Sequence, residues 1–267
     1  MIKAVLFDYG ETLVRPRSPW SEMRLKAIRN TFLVMKRNGL EMGYDEYTEK
    51  ESSIFSRYRK MENETNRDIH DIVKFREVAT ELFPGQAARW QRRVADSANT
   101  AFWKVVNHNY VLNNNARRSL ARLARMGVRM SVISNHHNPE ALSGHLDQLG
   151  ISRYFDHVYV SAQLGIRKPD SRIFKMCLSA MKVNPSETMF VGDSMENDVE
   201  GAKGAGIRAI LMAGTLNDGL RGTGIGPDFV IRDLGEVPAI ISSLAKDSSK
   251  STHTDTPKSR GRIKSPL

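Results

Sequence analysis

The chain has 267 residues, of which 40% are hydrophobic and 26% charged, so it is too apolar for wholesale disorder and suits one large domain or one domain carrying a second small one. Its single cysteine, Cys177, excludes an intramolecular disulfide framework and a Cys-rich zinc site, and no apolar run approaches the ~20 residues of a membrane span. The formal net charge is +10, with residues 246–267 holding net +4, a balance that favours anionic partners without choosing among them.

The first residues carry one lysine and an apolar run broken by Asp8. This does not read as a secretion signal, and a cytoplasmic protein is expected. Residues 2–7 read as a mostly apolar strand that stops at Asp8-Tyr9-Gly10. Residues 15–112 then show helix-forming composition with almost no strand signal. Helices are expected over 20–36, 45–61, 68–82 and 87–106, with breaks at Asn38-Gly39 and Pro84-Gly85. This segment reads as an all-helical second domain of net charge +5, most of it on solvated helix faces laced with ion pairs. Further strands are expected at 128–133, 157–161, 188–191, 208–212 and 228–231, with helical patterns at 115–126, 139–149, 170–182 and 197–205 between them. Short apolar runs with little alternation suit strands buried on both faces of a parallel sheet, and the strand–helix rhythm implies an α/β fold with helices on both faces. From about residue 247 onward the chain is Ser, Thr, Lys, Arg and Pro, and is expected to be a disordered, solubilising basic tail.

Ligands of open α/β sheets bind at the carboxyl ends of the strands. Three such ends carry a distinctive group, namely Asp8, Ser134 and Asp193, and Lys168 lies in the loop 165–170. Two neighbouring carboxylates repel and call for a cation between them, and Mg²⁺ accepts all-oxygen ligation with few protein carboxylates. A carboxylate nucleophile with neutralising charge around it is a site for a phosphoryl group. Taken singly, each motif also has a plain structural reading. Lys168-Pro169-Asp170, for example, suits a turn into a helix capped by Asp170.

Four motifs occur in order: Val5-Leu6-Phe7-Asp8-Tyr9-Gly10-Glu11-Thr12-Leu13-Val14, Val132-Ile133-Ser134-Asn135, Lys168-Pro169-Asp170, and Phe190-Val191-Gly192-Asp193-Ser194-Met195-Glu196-Asn197-Asp198. In these the sequence resembles the haloacid dehalogenase-like hydrolase superfamily, over residues 1–14 and about 113–235. The resemblance implies a Rossmann-like core of residues 1–14 and 113–246 with a helical cap of residues 15–112. It implies that Asp8 attacks phosphorus and becomes an aspartyl-phosphate. Ser134 would hydrogen-bond the phosphoryl oxygen, with Asn135 also on the substrate side, and Lys168 would neutralise nucleophile and phosphate. Asp193 would bind Mg²⁺ together with Asp8 and the carbonyl of Gly10, and Asp198 would support the metal. Thr12, also a candidate substrate contact, would hydrogen-bond within its own turn.

One position departs from the pattern of the family's phosphatases, which carry a second Asp as general acid and base where this chain has Gly10. Proton-transfer catalysis of that kind is typically worth ~10²–10⁴-fold. Glu11, His70 and His108 are the substitutes weighed. The departure also brings forward 2-haloacid dehalogenases, which lack that Asp and need no metal, but Gly192-Asp193 with Asp198 favours metal-dependent phosphoryl chemistry. A phosphonatase-like reading needs a Schiff-base lysine, and none of Lys26, Lys36, Lys50, Lys60, Lys74 and Lys104 is marked out. A further alternative is a binding protein of the same fold with little turnover. The leading expectation is a Mg²⁺-dependent hydrolase of a small phosphate monoester, such as a phosphorylated sugar or glycolytic-type metabolite. Arg15, Arg17 and Arg24 are candidates to meet an anionic substrate. A monomer or homodimer is expected, with no membrane partner and no nucleic-acid role beyond weak tail contacts. Cys177, among helix-spaced apolar residues, reads as core.

Overall fold

The computed structural model describes residues 1–214 and 225–251. Six strands form one parallel sheet: β1 (Ala4–Phe7), β4 (Arg129–Ser134), β5 (His157–Val160), β6 (Thr188–Gly192), β7 (Arg208–Met212) and β8 (Phe229–Ile231). Their spatial order is β5-β4-β1-β6-β7-β8, every neighbouring pair parallel. β1 is therefore central, and Phe7 is in register with Val132 on one side and Val191 on the other. This adjacency brings the ends of β1, β4 and β6 to one edge.

Both faces of the sheet are covered, which explains the unbroken apolar runs of its strands. Val5 and Phe7 point into a cluster with Leu120, Leu123, Leu142, Leu146 and Val237, from α5 (Ala116–Arg125), α6 (Pro139–Gln148) and α10 (Val237–Ser251). Ala4 and Leu6 point the other way, into a cluster with Ile173, Phe174, Cys177 and Ala202. That side is formed by the short α7 (Ser161–Leu164), α8 (Ser171–Met181) and α9 (Gly201–Gly204). Cys177 is buried there as expected. The expected helix at 197–205 is in fact a π-helical turn over Met195–Glu200 followed by α9.

Between β1 and β4 lie α1 (Trp20–Arg37), α2 (Tyr44–Thr65), α3 (Asp71–Leu82) and α4 (Ala88–Asn109). α1 buries Met23, Ala27, Ile28, Thr31 and Met35, a stripe at helical spacing. That stripe packs with Phe75, Val78, Ala98 and Phe102 in a separate core. Two further strands depart from an all-helical insert. β2 (Val14–Pro16) and β3 (Tyr110–Leu112) pair antiparallel where the chain enters and leaves the helices. Three-residue segments beside long helices carry no readable period-2 signal, so pairing partners decided this ribbon.

α10 is described as far as Ser251, inside the expected basic tail. The rest of the expected basic tail, 252–267, lies outside the described residues. Among the described residues no helix is long and apolar enough to cross a membrane.

Candidate active site

Asp8 follows β1 directly, and its backbone N–H donates to Val191 of β6 at 2.8 Å. The chain then turns tightly: Leu13 and Val14 both donate back to the Tyr9 carbonyl, and Glu11 sits in the left-handed region at φ 55°. Lys168, only 2% exposed, reaches in from the loop before α8. Its ammonium lies 2.6 Å from Asp8 Oδ1 and 2.6 Å from Asp198 Oδ1, and 5.3 Å from the centroid of the Phe190 ring. Asn135 holds that loop by a two-way bond. Its amide donates to the Lys168 carbonyl at 2.9 Å and its oxygen accepts the Lys168 N–H at 2.8 Å.

The other acids come from the turn after β6. Ser194 caps the π-helical turn by accepting from the Asn197 N–H, and Asp198 Oδ2 accepts the Ser194 N–H at 3.0 Å. Gly192 is required by close approach, since a Cβ there would lie 2.3 Å from Asp198 Cγ. Asp8, Asp193 and Asp198 each offer a carboxylate oxygen within 4.8 Å of the others.

Burial, reinforced by Asp198 and Asp193 and opposed by Lys168, pushes Asp8 up to about 7. Burial and the Asp198 charge push Asp193 up to about 6. Burial would lower Lys168, but the Asp198 and Asp8 charges hold it above the usual lysine range. One ammonium thus pairs with two of three crowded carboxylates, Asp8 and Asp198, and the donor set fits a divalent cation held by oxygen.

Asp8 also lines a cavity of about 240 Å³ with Gly10 and Ser134 at its floor, and with Trp20, Trp103, Val106, Tyr110, His136 and His137 among its walls. It adjoins a second cavity of about 280 Å³ that shares Trp20, Trp103 and His137.

The structure brings Asp8, Ser134, Lys168, Asp193 and Asp198 to one sheet edge, as expected, and corrects several neighbours. The Thr12 hydroxyl donates to Asp193 Oδ1 at 3.3 Å rather than within its own turn, and Thr12 is outside the lining of the Asp8 cavity. The Asn135 side chain is committed to Lys168, leaving only its backbone for substrate. Arg15 and Arg17 are exposed and outside the cavity lining, and Arg24 pairs with Glu51 at 3.0 Å beside the second cavity. Glu11 is exposed and does not line the Asp8 cavity. His70 caps α3 and contacts Glu140, while His108 lines a different groove. None of the six candidate Schiff-base lysines lines the Asp8 cavity. The residues that the sequence did not single out are His136 and His137. Their position directly after Ser134-Asn135 was the available signal.

A family model described as haloacid dehalogenase-like hydrolase matches residues 2–206. The chain belongs to the haloacid dehalogenase-like hydrolases. Among these hydrolases it is 34% identical to a phosphoserine phosphatase of Thermus thermophilus over 165 residues, 61% of each chain. It is 28% identical over 251 residues to a glyceraldehyde 3-phosphate phosphatase of Methanopyrus kandleri, covering 92% of this chain and 100% of the other. Among solved structures, a 2-haloacid dehalogenase from Pseudomonas syringae superposes with a TM-score of 0.69 at 24% identity, covering 91% of this chain and all of the other. That hydrolase shares the fold with this one.

Proposed function

We propose that this hydrolase cleaves small phosphate monoesters in a Mg²⁺-dependent reaction through an aspartyl-phosphate on Asp8, with residues 15–112 acting as its cap. The observation that carries this reading is the meeting of Asp8, Asp193 and Asp198 at the end of the central strand, with the Lys168 ammonium paired to Asp8 and Asp198. Asp8 and Asp193, with the Gly10 carbonyl, would hold Mg²⁺, and Asp198 would anchor Lys168 beside it. Such an ion would supply positive charge to the phosphoryl group. In its ionised form Asp8 attacks phosphorus, and Ser134 at the end of β4 and Lys168 stabilise the charge that develops there. The ester's organic part occupies the cavity walled by Trp20, Trp103 and Tyr110, whose size suits a metabolite of a few carbons. Phosphoserine and glyceraldehyde 3-phosphate, the substrates named for two relatives, fit that description. A cytoplasmic metabolic role accords with it.

Phosphate release from a panel of phosphorylated sugars, serine and glycolytic acids tests the reading. Release is expected with Mg²⁺ and is expected to stop with chelator. Gly10 favours one second reading, carbon–halogen displacement by Asp8. Halide release from a 2-haloacid that persists in chelator would replace the phosphatase reading.

Stability follows from the same charges. Both carboxylates are raised from an ordinary 3.8, so the folded state binds more protons than the unfolded one between about pH 4 and 7. Their contribution to stability therefore falls as pH rises through that window. Bound Mg²⁺ replaces those protons. A melting-temperature rise of roughly 5–10 °C is expected at saturating Mg²⁺ and pH 8, with a smaller rise at pH 5. An equal rise at both pH values would show that the ion binds elsewhere.

A further inference from the structure

Gly10 offers no side chain to protonate a leaving oxygen, yet an alkyl ester needs that proton. The Asp8 cavity has two histidines in its wall, and their surroundings differ. His136 Nδ1 accepts the Asn138 N–H at 3.1 Å, and its ring lies 4.5 Å from the Trp103 ring, centroid to centroid. Burial and the neighbouring His137 push His136 down to about 3, so it stays neutral with one nitrogen committed.

His137 is placed otherwise. Its carbonyl accepts the Asp71 N–H at 2.9 Å, which ties the loop after β4 to the start of α3. The Nδ1 atom is buried without a hydrogen-bond partner, and Glu62 Oε1 lies 3.4 Å from it, at ion-pair distance. The side chain as a whole is 38% exposed, and His137 lines the Asp8 cavity. Glu62, on α2 and only 3% exposed, also accepts the Ile69 N–H at 2.9 Å and lies 2.8 Å from the Lys74 ammonium. Burial opposes its charge, but His137, Lys74 and Ile69 hold it down at about 2, so it is an anion. The other charges around His137 are Asp71 and Lys74 of α3 and Asp68 of the loop before it. Asp68 is paired with Arg167 of the loop before α8, and Asp8 lines the same cavity as His137. Burial opposes the His137 charge; Glu62, Asp71 and Asp68 outweigh it and raise the imidazole above its ordinary value.

We infer that His137, oriented by Glu62, performs the proton transfer for which Gly10 has no side chain. The inference rests on the phosphatase reading above. In the first half-reaction a carboxylate oxygen of Asp8 bonds to phosphorus and the bond from phosphorus to the alcohol oxygen breaks. The departing oxygen takes the Nε2 proton, leaving as the alcohol, and His137 becomes neutral. In the second, water bonds to phosphorus and gives a proton to Nε2. The bond from phosphorus to Asp8 breaks, freeing inorganic phosphate and restoring the carboxylate and the imidazolium. Glu62, 3.4 Å from Nδ1, supplies the counter-charge throughout and is a positioning residue. Because Glu62 comes from the helical layer and His137 from the sheet side, the pair forms only where the two are docked.

Two esters, assayed with full-length protein and Mg²⁺, test this. An alkyl phosphate releases a poor leaving group that needs the proton, whereas p-nitrophenyl phosphate releases one that does not. His137→Gln is expected to lower turnover of the alkyl ester by ~10²–10⁴-fold. The first-turnover burst of p-nitrophenol should change less than about tenfold, which also reports that the variant is folded with Asp8 competent. For the wild type, kcat on the alkyl ester should fall as pH rises through the His137 pKa. Glu62→Gln should move that limb to lower pH, a shift that a merely structural role would not cause. Equal losses on both esters, no loss on either, or an unmoved alkaline limb in Glu62→Gln overturns the assignment. A wild type inactive on both esters would instead remove the phosphatase reading beneath it.

Discussion

Asp8→Asn is expected to lower phosphate release on the order of 10⁶-fold, the scale of losing a covalent nucleophile. The amide matches the carboxylate in shape but cannot form the aspartyl-phosphate. The variant should nonetheless fold. Asp8 is buried among like charges that push its pKa up, so its ionised form is a cost to the fold at neutral pH, and the amide removes that cost. Lys168 keeps Asp198 at 2.6 Å as its counter-ion. Phosphate release by the purified variant is the measurement, with a trapped phosphoenzyme as the second readout. Turnover within tenfold of wild type would remove the covalent mechanism.

Lys168→Met is expected to lose both activity and stability. Removing one partner of a buried ion pair typically costs ~3–5 kcal/mol, because the remaining charge has no counter-ion. Here two carboxylates, Asp8 and Asp198, lose a cation that is only 2% exposed. Part of the penalty is escapable, since Asp8 can take up a proton in response. A loss of about 3 kcal/mol at pH 8 is therefore expected, or roughly 6–12 °C in melting temperature for a chain of this size, with a smaller loss at pH 5. Turnover falls because protonated Asp8 is not a nucleophile. Adding Asp8→Asn to Lys168→Met should recover much of the stability and none of the activity, since the two residues are in direct contact and their effects do not add. Thermal melts of the two single variants and the double variant at both pH values provide the check. Equal destabilisation of the double variant and Lys168→Met would show that the Asp8 charge is not what the lysine offsets.

The strand ends were legible because they are local. A short apolar run that stops at Asp8, Ser134 or Asp193 states in sequence where the sheet ends and which polar group stands there. The parallel sheet then brings those ends together, because β1 lies between β4 and β6. The helices of residues 20–109 were legible for the same reason, since their buried stripes recur at the helical period. Contacts made across large separations were not. Thr12 and Asp193 stand 181 positions apart and Ser161 and Asp68 stand 93 apart, and nothing in either neighbourhood names its partner. The basic side chains expected to greet an anion turned outward or paired with acids, and aromatic rings took their place around Asp8. A tryptophan such as Trp103 reads as core in sequence because burial and lining a cavity demand the same apolar surface.

By itself the sequence determined the α/β architecture, the helical insertion, the acids that follow the central strands and the lysine of the loop before α8, since hydrophobic period and strand-end chemistry are properties of contiguous residues. Only the tertiary structure decided what overhangs Asp8 and which histidine meets an acid. Those depend on how the helical layer docks onto the loop after β4, and docking is fixed by packing between surfaces assembled from distant segments.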